Sequence, residues 1–198
     1  MGNNKSGYSG VEYDLSDFVK YGEENTLVVR VDATQYEGWF YEGAGIYRHV
    51  WLVKTDKFHI NPNELFIHSK QTNKSAIISV EIPIINDNLK STNGNTYTYI
   101  TDRNGRKISQ SKVTSFSITA YSSKLIKQNI NVANAHLWSI EDPYLYRVVT
   151  ILRSGNKIID SLNTHFGIRD ISVTVNGLYI NGKYVKIKGV CNHQDHAG

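Results

Sequence analysis

The sequence predicts an all-β chain built around one β-sandwich, and three observations carry that prediction. Short runs rich in Ile, Val, Tyr and Thr alternate apolar with polar residues at period two. Gly, Asn, Asp and Ser close those runs roughly every 8–12 residues, the turn spacing of a sandwich. Helical periodicity is nearly absent.

The expected elements follow in chain order. The one helical candidate is residues 15–21, behind Asp14 as an N-cap, long enough for one or two turns. Strands are expected at 28–32 and 46–53, then at 64–70, 76–85 and 96–101. Further strands are expected at 115–121, 125–132, 145–153 and 157–165. The polar stretch 90–95 reads as a loop. Four Asn-Gly pairs tolerate the positive φ of tight turns: Asn93-Gly94, Asn104-Gly105, Asn176-Gly177 and Asn181-Gly182. The last two bracket Leu178-Tyr179-Ile180 and predict successive turns of a small hairpin system. An apolar strand is expected at 185–190, followed by a polar, His-rich end.

Composition removes several function classes. A single Cys in 198 residues forms no internal disulfide. No apolar run approaches the ~20 residues of a membrane helix. Met1 is followed by Gly-Asn-Asn-Lys-Ser-Gly, which lacks the apolar core of a secretory leader. The compartment stays open, with a periplasmic or secreted parent protein among the readings. The net charge of +4 invites a nucleic-acid reading, but the basic residues are scattered. Lys183, Lys186 and Lys188 form the densest group and read as a solvated strand face.

Four segments, in order along the chain, carry a resemblance. They are Tyr13-Asp14-Leu15-Ser16-Asp17-Phe18 with Glu24-Asn25-Thr26-Leu27-Val28-Val29-Arg30-Val31-Asp32, and Gly43-Ala44-Gly45-Ile46-Tyr47-Arg48-His49-Val50-Trp51-Leu52. Then come Leu137-Trp138-Ser139-Ile140-Glu141-Asp142-Pro143-Tyr144-Leu145-Tyr146, and Phe166-Gly167-Ile168-Arg169 with Leu178-Tyr179-Ile180-Asn181-Gly182-Lys183 and Lys188-Gly189-Val190-Cys191-Asn192-His193-Gln194-Asp195. Together they resemble glycoside hydrolase family 2, the group of β-galactosidases, β-glucuronidases and β-mannosidases. The lead-in Glu37-Gly38-Trp39-Phe40-Tyr41-Glu42-Gly43 resembles the β-galactosidase branch.

The resemblance implies a fold and a division of the chain. Residues 1–60 would be the last part of a sugar-binding jelly roll. Residues 61–167 would be a complete immunoglobulin-like sandwich, and 168–198 the start of a TIM barrel with its first strand. The family's Glu acid/base and Glu nucleophile match no position here, so the chain is expected to be inactive alone. The residues agree with that expectation. Glu141-Asp142 sit beside the Pro143 turn and read as structural. Glu23-Glu24 precede a strand, and Glu12, Asp14 and Asp17 surround a helix start.

The candidate substrate-binding residues are His193, Asp195, Glu37 and Glu42. The resemblance implies that His193 reaches a hydroxyl of the −1 sugar, with Asp195 as a companion. Glu37 or Glu42 would take the place of an acidic jelly-roll residue near the same sugar. Trp39, Phe40 and Tyr41 read as core packing, with a sugar-stacking platform as the alternative. His193, Asp195 and His196 suggest a metal site, but zinc wants three or four converging ligands and neighbours on a chain end converge poorly, so no metal or cofactor is expected. Cys191 reads as a small apolar residue beside the strand, where the family commonly has Asn. Trp138 is expected in the sandwich core with Leu137 and Tyr146, and Arg48 and Arg169 against a carboxylate or backbone carbonyls.

The expected function is therefore part of a retaining glycoside hydrolase acting on terminal β-linked sugars, most like a β-galactosidase. Its partner is a carbohydrate, neither nucleic acid nor membrane. Self-association through unpaired strand edges is a further expectation. The alternative is a stand-alone immunoglobulin-like module that binds carbohydrate or a partner protein.

Overall fold

Period-two alternation dictates which residues go inside. In a strand, side chains at i, i+2 and i+4 share a face, so one parity of the sequence can fill an interior. Here the even positions do so. Ala76, Ile78, Val80, Ile82 and Ile84 are buried on one strand, Ile126, Ile130 and Val132 on a second, and Tyr146, Val148 and Leu152 on a third. Burying each such aliphatic side chain stabilises the fold by roughly 1.5–3 kcal/mol.

The structure, a computed structural model, describes residues 2–4, 9–32, 45–46, 48–72 and 74–191. It divides into two compact units, Trp51–Val190 on one hand and Met1–Val50 with Cys191–Gly198 on the other. The all-β prediction holds: among the described residues the regular elements are strands.

The first unit named, Trp51–Val190, carries the sandwich. In one sheet β3 (Ser75–Asn86) is central. β7 (Ser122–Ala133) pairs along its whole length. On the other side of β3, β2 (Phe66–Thr72) and β1 (Phe58–Ile60) share the edge, one at each end. In the second sheet β4 (Thr92–Thr101) pairs with β5 (Lys107–Gln110) and β6 (Thr114–Ile118) on one side. β8 (Tyr146–Ser154) pairs on its other side, with β9 (Lys157–Phe166) outermost. A third, three-stranded meander follows: β10 (Ile171–Thr174), β11 (Gly177–Ile180) and β12 (Lys183–Val185).

Most buried polar groups between the two sheets are paired, as the cost of burying them unpaired favours, with Thr101 Oγ1 an exception. Asn86 is fully buried. Its amide donates to the carbonyls of Lys90, Ile118 and Thr119, and its Oδ1 accepts from Asn88 and Thr92. Gln128 Nε2 donates to Thr96 O at 3.0 Å, while its Oε1 accepts from Ser111 Oγ at 3.0 Å. Thr98 Oγ1 and Thr150 Oγ1 lie 3.1 Å apart.

Several expectations change. Asn93-Gly94 is not a turn but lies inside β4, so the expected loop 90–95 is strand from Thr92 onward. The reason is packing: a Cβ on Gly94 would sit 2.7 Å from the Phe58 ring. Asn104-Gly105 does turn, with Gly105 at φ 81° and its N–H donating to Asp102 O. Asn176-Gly177 and Asn181-Gly182 turn between the strands of the meander, as expected. β1 and β5 were not anticipated, being three and four residues long. Residues 186–190 carry no strand beyond β12, so Lys186 and Lys188 lie off the strand face they were assigned to.

In Met1–Val50 the expected helix at 15–21 is a turn. The N–H groups of Phe18 and Val19 both donate to Leu15 O, and Ser16 N–H donates to Asp14 Oδ1. The cap is present, but the seven-residue segment does not propagate, as nucleation costs predict for short helices. Residues 28–32 form no ladder, and Val28 is 81 % exposed. The expected strand 46–53 also carries no strand assignment among its described residues. A strand needs a partner for its N–H and C=O groups, and alternation alone does not supply one.

Candidate functional site

The four sequence-predicted site residues, His193, Asp195, Glu37 and Glu42, lie outside the described residues. So do Trp39, Phe40, Tyr41 and His196. What the structure does bring together is the third quoted motif, 137–146, and the segment that leaves the sandwich.

Trp138 lies in the loop between β7 and β8. Its N–H donates to Ile168 O at 2.8 Å, and its C=O accepts from Asn181 Nδ2 at 2.9 Å. Gly167 makes this approach possible, because a Cβ there would meet the indole at 2.9 Å. The Arg169 guanidinium lies 4.6 Å from the Trp138 ring centroid, within cation–π range. Trp138 is thus half-buried where the meander leaves the sandwich, not in the core. Arg169 pairs with that ring rather than with the expected carboxylate or carbonyl. Leu137 does pack on the core, and Tyr146 is buried with its hydroxyl accepting from His136 N–H at 2.7 Å.

Asn181 closes this arrangement. It holds φ 50°, a left-handed conformation that Asn tolerates better than most residues. That conformation lets Oδ1 accept from Gln71 Nε2 at 2.7 Å and from Asp170 N–H at 2.9 Å, while Nδ2 reaches Trp138 O. Ser69 Oγ donates to Arg169 O, and Lys183 Nζ lies 2.9 Å from Glu141 Oε1. One side chain therefore ties β2, the 137–146 loop and the β10–β12 meander together. Asn181 was visible in the sequence only as a turn residue, and Gln71 gave no signal.

The carboxylates here are structural. Asp142 Oδ2 lies 2.6 Å from His136 Nε2, and Asp142 Oδ1 lies 3.4 Å from Arg103. The hydrogen bond from His136 holds the Asp142 carboxyl below its ordinary value, as does the charge of Arg103. Lys183 does the same for Glu141. A proton donor at neutral pH needs the opposite displacement, upward. Asp142 and Glu141 are thus anchors, as expected. The Tyr144 ring stacks on His136 at 4.2 Å and meets Arg103 at 4.2 Å, which fixes the loop. Cys191 is free and exposed rather than packed.

Comparison with known proteins extends this geometry. The family description "Glycosyl hydrolases family 2" matches residues 58–169, the sandwich with the start of the clasp. The β-galactosidase BoGH2A of Bacteroides ovatus is 33 % identical over 192 residues, 96 % of this chain and 22 % of that protein. A β-glucuronidase of Formosa agariphila is 28 % identical over 212 residues, again 96 % of this chain and 22 % of that protein. The crystal structure of a glycosyl hydrolase family 2 member from Bacteroides cellulosilyticus superposes with TM-score 0.85 at 32 % identity. That superposition covers 92 % of this chain and 25 % of the other.

The sandwich and its clasped meander thus define a β-sandwich of the glycoside hydrolase class. The chain belongs to glycosyl hydrolase family 2. It spans about a fifth of the length of the curated relatives described, at 22 %.

Proposed function

We propose that these residues are part of a longer retaining glycoside hydrolase that removes terminal β-linked sugars, most like a β-galactosidase. In this reading 1–60 end a sugar-binding jelly roll, 61–167 form the immunoglobulin-like sandwich, and 168–198 begin the catalytic barrel. The observation that carries the reading is the family match running through the whole sandwich into the clasp. The similarity to the Bacteroides ovatus β-galactosidase favours galactosides, although β-glucuronidases are also among the relatives.

Retaining hydrolysis needs two carboxyl groups about 5–5.5 Å apart, one as nucleophile and one as acid/base. In the proposal that pair stands on later barrel strands, outside these residues. The sandwich holds the chain that enters the barrel, and the Asn181 clasp fixes where it leaves. His193 binds a hydroxyl of the −1 sugar with Asp195 beside it, and Glu37 or Glu42 reaches the same sugar.

The test is to assay the 198-residue chain and the full reading frame around it on p-nitrophenyl β-galactoside and β-glucuronide. The short chain should turn over neither substrate, and the longer protein should prefer the galactoside. Preference for the glucuronide would overturn the galactosidase assignment, and turnover by the short chain would overturn the division of labour. In the longer protein, His193→Ala should lower kcat/KM by about 100-fold or more.

A further inference from the structure

The outer face of the sheet β5-β4-β8-β9 has a composition that neither packing nor catalysis uses. Even positions of β4 and β8 fill the core, so odd positions face out. Tyr97 and Tyr99 stand side by side on β4, ring centroids 6.5 Å apart and 28° from parallel. Lys107 Nζ lies 5.3 Å from the Tyr99 ring and the Arg153 guanidinium 5.6 Å from the Tyr97 ring. The result is a row along β4: Lys107, Tyr99, Tyr97, Arg153. One strand over, Arg147 is in register with His165, and both line a shallow concavity of about 260 Å³.

The charge on this face is one-sided. β4, β5, β6, β8 and β9 contain a single acid, Asp160. Asp160 is in register with core Leu152, and its oxygens accept from the N–H groups of Ile60 and Ser161. Asp102, at the end of the face, is taken by Arg106 and by turn N–H groups. Among the described residues, Lys107, Arg147, Arg153 and His165 have no carboxylate partner. Arg153 Nε is buried and makes no hydrogen bond. Amides and hydroxyls surround the cations: Gln110 opposite Tyr99, Asn95 opposite Arg153, and Asn163 and Ser161 on β9.

We propose that this face binds an acidic oligosaccharide, one bearing carboxylate or sulfate groups. The cations supply charge-assisted hydrogen bonds to the anionic groups. The amides, the serine hydroxyl and the tyrosine hydroxyls meet sugar hydroxyls. Nucleic acid fits less well: single-stranded binding uses aromatic rings with free faces for base stacking, and here a cation sits against each ring. The proposal uses none of the residues of the proposed −1 subsite and does not depend on the identity of the cleaved sugar.

The experiment is calorimetric titration of the 198-residue chain with three oligomers of matched length. They are oligogalacturonate, neutral galacto-oligosaccharide, and single-stranded DNA. Binding should be seen with oligogalacturonate, weaken as salt rises, and be absent or much weaker with the other two. Arg147→Gln combined with Arg153→Gln should weaken it about tenfold or more. Lys70→Gln combined with Lys124→Gln, an equal charge change on the other sheet, should leave it unchanged. Tyr97→Ser with Tyr99→Ser should weaken it with the charge intact, and an unshifted thermal midpoint establishes that each variant folds. Equal binding of the neutral sugar, equal or tighter binding of DNA, no binding at all, or an equal loss in Lys70→Gln with Lys124→Gln would each overturn the proposal.

Discussion

Two stretches of this chain carry the same sequence signal and end differently. Residues 28–32, Val-Val-Arg-Val-Asp, and residues 76–85 in β3 are both β-branched runs. β3 is flanked on both sides over most of its length, because β7 runs the full length of one side and β1 and β2 occupy most of the other. Residues 28–32 have no ladder, and Val29 and Val31 are exposed. Propensity nominates a strand, but the neighbouring chain makes it one.

The contrast is sharpest when a core residue is set against its exposed counterpart. Ile82→Ala, on the inner face of β3, should destabilise the fold by about 2–5 kcal/mol. Val29→Ala should change stability by less than about 0.5 kcal/mol. Denaturant melts of the two variants check both. A large loss from Val29→Ala would mean that residues 28–32 are held by a partner.

The next effect belongs to the polar plug. Asn86→Ala strands the carbonyls of Lys90, Ile118 and Thr119, and should cost about 1–3 kcal/mol. The Asn181 clasp should behave differently, because its partners join the meander to the sandwich rather than sheet to sheet. Asn181→Ala should speed amide exchange in β10–β12 and leave β3 and β7 protected. If exchange rises equally throughout, the clasp is part of the global fold and not a local fastening.

The smallest expected effect is electrostatic. The Asp142 carboxyl is held below its ordinary value of 3.8. Its ion pairs therefore add stability above that value, and the contribution is lost as pH falls through the lowered folded value. The pair is exposed, so the effect is small. Asp142→Asn should flatten the acid limb of the stability profile slightly, and an unchanged limb would remove Asp142 from the account.

Much of the sandwich was legible because inside and outside are written in parity. Strands 64–70, 76–85, 125–132, 145–153 and 157–165 fall on β2, β3, β7, β8 and β9 with ends shifted by three residues at most. β1 and β5 are too short for period-two counting. Asn93-Gly94 misled because the glycine is required by the Phe58 ring, a long-range contact that no local rule anticipates. The 137–146 motif was visible, but its role was not. Trp138 looks like a core residue until Gly167, Arg169 and Asn181 are placed around it.

The central claim is that ladder partners, not local pattern, divide this chain into a protected sandwich and an exposed stretch without a ladder. Residue-resolved hydrogen exchange on the dilute 198-residue monomer tests it most directly. Amides of β3 and β7 should exchange only with global unfolding, while those of residues 28–32 and 50–53 exchange within the dead time or close to it. Protection of 28–32 and 50–53 at the level of β3 would contradict the claim.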